Sequence, residues 1–233
     1  FVDRTEVRLG HRLIKLDLKN RQLFFANGAV QAYDHLVSSL PLPELIRTIE
    51  GVPSPVLEAA NKLACTTCVL VNLSVGREDL SATHWTYFYD QSLCFSRVSF
   101  PHMLSPNNAP SGCGSIQAEV YYSNKYRPLD TSAKDLIPIV IADLQTCGIL
   151  RDTDQIQYAD AKVINYAQVI FDLDRAAALT TVHEYLNELG IAYCGRYGEW
   201  KYTWTDEAFE SGEAAAEKIL NRIGRRQTAL FAV

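Results

Sequence analysis

The stretch Cys194-Gly195-Arg196-Tyr197-Gly198-Glu199-Trp200-Lys201-Tyr202-Thr203-Trp204-Thr205-Asp206-Glu207, followed by helical spacing over 208–220, decides the fold of this chain. It sets two glycines, four aromatic residues and an arginine between a short strand and a helix start. A glycine directly after a strand lets a phosphate or a ring approach the backbone. The free N–H groups and positive end of the following helix then favour electron-rich oxygens. The same residues also suit an ordinary strand-to-helix turn with aromatic packing, and residue types alone leave both readings open.

Working outward, 191–194 reads as a short strand and 174–189 as an amphipathic helix stopped by Gly190, with 161–171 as a further strand before it. The last helix is expected from near Asp206 to about Ile223. Residues 66–75, 84–89, 95–100 and 115–123 are rich in Val, Tyr, Phe and Thr and predict an antiparallel sheet. Between the last two, 101–114 holds three prolines and two glycines and reads as a loop without regular structure, long enough to be a functional segment. Asp130-Thr131-Ser132 can cap a helix running towards Gly148, with Pro138 kinking it or marking a later start. At the other end, 6–17 and 22–26 read as strands joined through an Asn27-Gly28 turn to 33–38, a three-stranded meander. Two short helices, 43–50 and 55–63, follow among prolines 41, 43, 53 and 55.

At 233 residues, with 48% hydrophobic and 21% charged content, the chain can bury a substantial core. The net charge of −5 comes from 22 basic and 27 acidic residues mixed along the sequence, so no basic face offers itself to nucleic acid or anionic lipid. No apolar run approaches the roughly 20 residues that span a bilayer. The opening Phe1-Val2-Asp3-Arg4-Thr5 lacks the basic start and apolar centre of a secretion signal and reads as a chain entered midway. Six dispersed cysteines are expected as reduced thiols, and the location as cytoplasmic.

Common catalytic signatures are absent: no GxGxxG after a strand, no P-loop, no HExxH and no GxSxG elbow. Cys65-Thr-Thr-Cys68 has metal spacing but no second pair and runs into an apolar strand; no metal site is expected. His183-Glu184 lacks a second histidine and reads as a solvated helix face. Asn72-Leu-Ser74 matches a glycosylation acceptor by accident of a strand.

Gly195-Arg-Tyr-Gly-Glu-Trp-Lys-Tyr202 resembles the GR(F/Y)G(S/E)W(K/R)Y segment of UDP-galactopyranose mutases and of the flavin-containing amine oxidoreductases close to them. The likeness extends backwards in matching order. Phe95-Ser-Arg97, Ser105-Pro-Asn107 and Ser115-Ile-Gln-Ala-Glu119-Val are similar to the family's F-x-R, S-P-x-N and S-x-x-x-E-V patterns. Tyr33-Asp34-His-Leu-Val-Ser-Ser-Leu-Pro41 resembles the strand and loop that return the chain from the FAD domain to the substrate domain.

The resemblance implies FAD as cofactor, with Gly195, Arg196 and the backbone around Asp206 and Glu207 facing the flavin and Val7 flanking the adenine. It implies that Arg97, Arg196, Tyr202 and Tyr166 hold a substrate diphosphate; guanidinium groups make forked, charge-assisted bonds to phosphate, and tyrosine adds a neutral donor. No catalytic side chain is assigned, because the cofactor carries the covalent chemistry. Two departures weaken sugar-nucleotide specificity: Asp206 stands where the mutases usually carry asparagine, and Tyr166-Ala-Gln-Val-Ile replaces a YPxP-like stretch.

The fold expected is α+β: an antiparallel-sheet substrate domain with flanking helices, over 42–189, plus pieces of a glutathione reductase-type α/β FAD domain. Those pieces are a β-meander and return strand over 1–41 and a final strand and helix over 190–224, with 225–233 as a tail. The strand and glycine-rich turn that grip the ADP half are expected ahead of Phe1, so this piece by itself is expected to bind FAD weakly. For the whole enzyme the resemblance implies reduced flavin attacking the anomeric carbon of a nucleotide sugar so that the ring can reclose. The alternatives are an amine oxidase-like or protoporphyrinogen oxidase-like FAD oxidoreductase, or a fragment without chemistry of its own.

Overall fold

The computed structural model describes residues 4–230. In chain order these form β1 (Leu13–Asp17), β2 (Gln22–Phe25), β3 (Val30–Ala32), β4 (Val37–Ser38), α1 (Leu42–Thr48) and α2 (Ser54–Lys62). Then come β5 (Thr67–Val75), β6 (Trp85–Tyr87), β7 (Arg97–Ser99), α3 (Pro101–Leu104), β8 (Gly114–Tyr122), α4 (Leu136–Thr146) and β9 (Ile156–Ile164). The chain closes with α5 (Arg175–Glu188), β10 (Ala192–Tyr193), α6 (Gly195–Gly198) and α7 (Thr205–Leu230). It divides into two compact units, one of residues 1–64 and 169–233, the other of 65–168. Helices α1, α2 and α5, which sequence reasoning grouped with the large sheet, belong to the first unit, where α2 packs on α5.

The second unit is built on an antiparallel sheet ordered β6-β7-β8-β5-β9. Strands β5 and β8 pair through Val69↔Val120, Val71↔Ala118 and Leu73↔Ile116, which puts one apolar row on one face. Helix α4 lays Leu136, Val140 and Leu144, spaced four apart, onto that face and closes the core. Alternation sends the partners between them, Cys68↔Tyr121, Leu70↔Glu119 and Asn72↔Gln117, to the opposite face. That face is polar. In the first unit β1, β2 and β3 form an antiparallel sheet, while β4 and β10 form a separate parallel pair.

The structure corrects several sequence expectations. The third meander strand is Val30–Ala32, not 33–38; residues Val37 and Ser38 leave the meander to pair with β10. The segment 101–114 is not wholly irregular. Pro101 opens α3, where a missing N–H costs nothing, and Pro106–Asn108 is a 3₁₀ turn whose Asn107 N–H bonds Ser105 Oγ. The expected strand at 161–171 runs instead from Ile156 to Ile164, because an edge strand half in solvent shows no apolar alternation to mark its start. Ser132 caps a 3₁₀ turn, and α4 begins at Leu136 with Pro138 in its first turn. The last helix continues to Leu230; residues 1–3 and 231–233 of the expected ends lie outside the described residues. Among the described residues no helix is long and apolar enough to cross a membrane.

The end of β5 is tied to the turn before β9 by a forked ion pair. Arg77 donates Nε to Asp154 Oδ1 at 2.7 Å and Nη2 to Asp154 Oδ2 at 2.9 Å, and the Asp154 side chain is 6% exposed. Arg77→Met leaves that buried carboxylate unpaired and is expected to cost about 3–5 kcal/mol, read as a lower urea midpoint. The guanidinium holds the Asp154 carboxyl below its ordinary range. The pair's contribution is therefore complete at neutral pH and fades as pH falls through and below that range. A midpoint unchanged by the substitution, or insensitive to acid in wild type and variant alike, contradicts this account.

Candidate functional site

The parallel pair of the first unit sets one end of the site. Ala192 N–H bonds Leu36 O and Cys194 N–H bonds Ser38 O, each at 3.0 Å, so β4 and β10 finish side by side. Ligands of open α/β sheets sit outside the carboxyl ends of such strands. After Cys194 the chain turns through Gly195 at φ +74, a left-handed conformation, into the four-residue α6. Gly198 lets α6 lie against the end of β4: a Cβ there would stand 3.0 Å from Ser38 O.

Around Gly195 the hydrogen bonds are directional. Its N–H donates to Ser211 Oγ at 2.9 Å, and that hydroxyl donates to Glu199 Oε1 at 2.8 Å. Glu199 in turn pairs with Lys201 Nζ at 2.7 Å. The N–H of Gly195 is therefore already used within the chain, and what the residue contributes outward is room, since a Cβ added there would meet nothing within 4 Å. Arg196 donates Nε to Thr203 O at 3.1 Å and lies over the Tyr202 ring at 4.8 Å, which fixes the segment leading to α7. Tyr202 is half-exposed and meets Trp204 edge to face, with ring centroids 6.1 Å apart.

Helix α7 begins with half of a capping box: Trp204 N–H donates to Glu207 Oε2 at 2.8 Å. The first intrahelical bond is Ala208 N–H to Trp204 O at 2.9 Å, so the N–H groups of Thr205, Asp206 and Glu207 precede the ladder at an exposed helix end. Free N–H groups at a positive helix end can donate to an electron-rich oxygen. Val7 lies in irregular chain before β1, exposed, and no described hydrogen bond or ring contact ties it to this patch.

Three residues that shape this end were not foreseen. Ser211 is one. Arg175 is another: its Nε donates to the carbonyl of Trp200 at 3.1 Å, holding that fully buried residue at φ +53. Trp200 thus belongs to the core and not to a pocket wall. His183, expected on a solvated face, is half-buried and stacks on Tyr193 at 4.2 Å, and burial holds its pKa below the ordinary value. None had a sequence signal, because each partner is distant along the chain.

In the second unit, Tyr87, Arg97 and Glu119 stand in register across β6, β7 and β8 on the polar face. Arg97 Nη2 bonds Glu119 Oε1, and Tyr121 donates its hydroxyl to Glu119 Oε2 at 2.6 Å. Glu119 is only 5% exposed, whereas the Arg97 side chain is 35% exposed and keeps a buried Nε–H without a partner among the described residues. Burial pushes the neighbouring Cys68 thiol up to about 12, so it is a neutral wall of the face at physiological pH. Period-two spacing of Gln117, Glu119 and Tyr121 was the available signal for Glu119 as the partner of Arg97. Tyr166 sits half-buried in the bend after β9. The candidate residues therefore fall into two groups: Gly195, Arg196, Tyr202, Asp206 and Glu207 in one unit, Arg97 and Tyr166 in the other.

A family model described as flavin containing amine oxidoreductase matches residues 2–220. Among solved structures, a reduced UDP-galactopyranose mutase aligns with TM-score 0.83 at 23% identity, over 95% of this chain and 49% of that one. A putative protoporphyrinogen oxidase from Exiguobacterium sp. 255-15 aligns with TM-score 0.69 at 15% identity, over 93% and 48%. A CLA-producing fatty acid isomerase from P. acnes gives TM-score 0.61 at 12% identity, over 89% and 47%. The chain spans about half the length of these structures, and identities at this level carry the fold.

Gly195→Ala puts a side chain into a left-handed residue with open space around it, so strain is the main expected effect. A loss of about 1–2 kcal/mol in unfolding free energy is expected. A variant as stable as wild type would show that the turn relaxes out of φ +74 without cost.

Proposed function

The chain belongs to the flavin containing amine oxidoreductases, and on that footing we propose that it forms part of an FAD enzyme acting on a nucleotide sugar in the manner of UDP-galactopyranose mutase. The observation that carries the reading is the exposed first turn of α7 beside the open space at Gly195. There the N–H groups of Thr205, Asp206 and Glu207 and the positive helix end stabilise an electron-rich ring oxygen. Bound flavin supplies two-electron chemistry, as nucleophile in a mutase or hydride acceptor in an oxidase. The chain's residues position and screen. Arg196 fixes the Tyr202–Trp204 segment through Thr203 O, leaving Tyr202 to offer its hydroxyl to substrate. Arg97 offers a half-exposed guanidinium, oriented by Glu119, to an anionic group.

A second reading, an oxidoreductase that removes hydride from a less charged substrate, is favoured by the same Glu119. Its buried carboxylate already offsets the charge of Arg97, and Asp206 adds another anion near the cofactor end. A hydride-removing oxidase has no need of a diphosphate clamp.

Nucleotide-sugar binding by the flavin-loaded, full-length protein separates the two. UDP-galactose is expected to bind, and Arg97→Ala combined with Glu119→Gln, which leaves no orphaned carboxylate, to weaken it roughly tenfold or more. Arg196→Ala is expected to do likewise. Binding unchanged in both folded variants would sink the mutase reading and leave the oxidoreductase.

A further inference from the structure

Helix α7 turns one stripe inward: Ser211, Ala215 and Ile219, spaced four apart, are all buried, and Ala215 and Ile219 pack on Ala192. A hydroxyl at the head of an apolar stripe breaks the pattern. Helical hydroxyls often turn back on their own helix, as Thr180 and Thr181 of α5 do by donating to the carbonyls of Ala176 and Ala177. Ser211 turns away from its helix instead. It accepts the Gly195 N–H at 2.9 Å and donates to Glu199 Oε1 at 2.8 Å, while the Glu199 N–H donates to Gly195 O at 2.9 Å. Both backbone groups of Gly195 are thus joined to Glu199, one directly and one through Ser211, in a closed ring of hydrogen bonds. The other carboxylate oxygen of Glu199 pairs with Lys201 Nζ at 2.7 Å. A carboxylate in an ion pair only accepts, so Ser211 must donate to it and has a lone pair left for Gly195. All of these residues belong to the first unit, and the ring is complete within this chain.

We propose that Ser211 is the positioning residue of the cofactor end, holding the Gly195 turn and the first turn of α7 at one fixed spacing so that both meet a single flavin. The inference rests on the flavin reading of this end and on neither choice of substrate. Its geometry is that of a two-point attachment. The capping bond from Trp204 N–H to Glu207 fixes the start of α7, and Ser211, one turn beyond Glu207, fixes the same helix to Gly195. The first-turn N–H groups of α7 therefore cannot shift along the helix axis without breaking the bond to Gly195. The ring also decides which donors remain for a ligand. It turns the Gly195 N–H inward and leaves the N–H groups of Thr205, Asp206 and Glu207, which precede the helical ladder. Alanine at 211 would suit the stripe better and would open the ring, leaving the Gly195 donor unpaired.

FAD titration of the flavin-stripped, full-length protein, with the reduction potential of the bound flavin measured alongside, tests the proposal. Circular dichroism sets conditions in which every variant is folded. Ser211→Ala is expected to raise the FAD dissociation constant roughly tenfold or more. It is also expected to lower the potential, because a displaced positive helix end stabilises the charge of the reduced ring less. Glu199→Leu, which removes the acceptor, should act alike, and the double variant should lose little beyond either single one, since both open the same ring. Glu199→Gln keeps an oxygen for the Ser211 hydroxyl and should stay within about twofold of wild type. A purely structural serine would lower the urea midpoint of Ser211→Ala and leave both flavin readouts of the folded protein unmoved. Unchanged affinity or unchanged potential in folded Ser211→Ala, or a Glu199→Gln loss as large as that of Ser211→Ala, overturns the proposal, as does a wild-type protein that binds no FAD. A wild-type protein that binds FAD but not UDP-galactose instead removes the sugar reading alone.

Discussion

Cys194 donates its backbone N–H to the carbonyl of Ser38 at 3.0 Å, and everything at the candidate cofactor end depends on that bond and its neighbour from Ala192. It brings together two segments separated in sequence by the whole of the second unit and makes a parallel pair from two-residue strands. Parallel pairing this short has little strength of its own, so helices must bury it. Ala215 and Ile219 of α7 pack against Ala192, so the helix that presents its first turn to a ligand is also the one that covers the strand. Gly198, pressed against Ser38 O, is what allows α6 close enough to begin that geometry.

The polar sheet face is governed by a different constraint, the desolvation of Glu119. A carboxylate this buried needs partners for its oxygens, and Arg97 and Tyr121 provide them from adjoining positions of the sheet. The guanidinium is consequently oriented before any ligand arrives, with part of its electrostatic pull already spent on Glu119. A preorganised but partly neutralised donor acts through short-range, directional hydrogen bonds to phosphate oxygens more than through long-range electrostatic steering.

Much of this was legible in the sequence where periodicity and local rules agree. The β5 and β8 strands announced themselves by β-branched and aromatic residues, α4 by its four-residue apolar spacing, and the turn at Gly195 by a glycine between strand and helix. What stayed hidden depends on contacts distant along the chain. Val37 and Ser38 looked like one more meander strand because nothing local reveals that their partner is β10. His183 looked like part of a solvated helix face and Arg175 carried no signal, yet the Tyr193 ring and Trp200 O draw them inward. Glu119 was visible as part of a motif, but its burial appears only when β7 is laid beside β8.

Backbone amide hydrogen exchange with and without FAD, resolved to single residues in the full-length protein, addresses the central claim directly. If the end of β4 and β10 is the flavin seat, FAD slows exchange at Thr205, Asp206 and Glu207, whose N–H groups have no intrahelical partner, while Gly195, already bonded to Ser211, changes less. Bound FAD that leaves the first turn of α7 exchanging as fast as before would contradict the account.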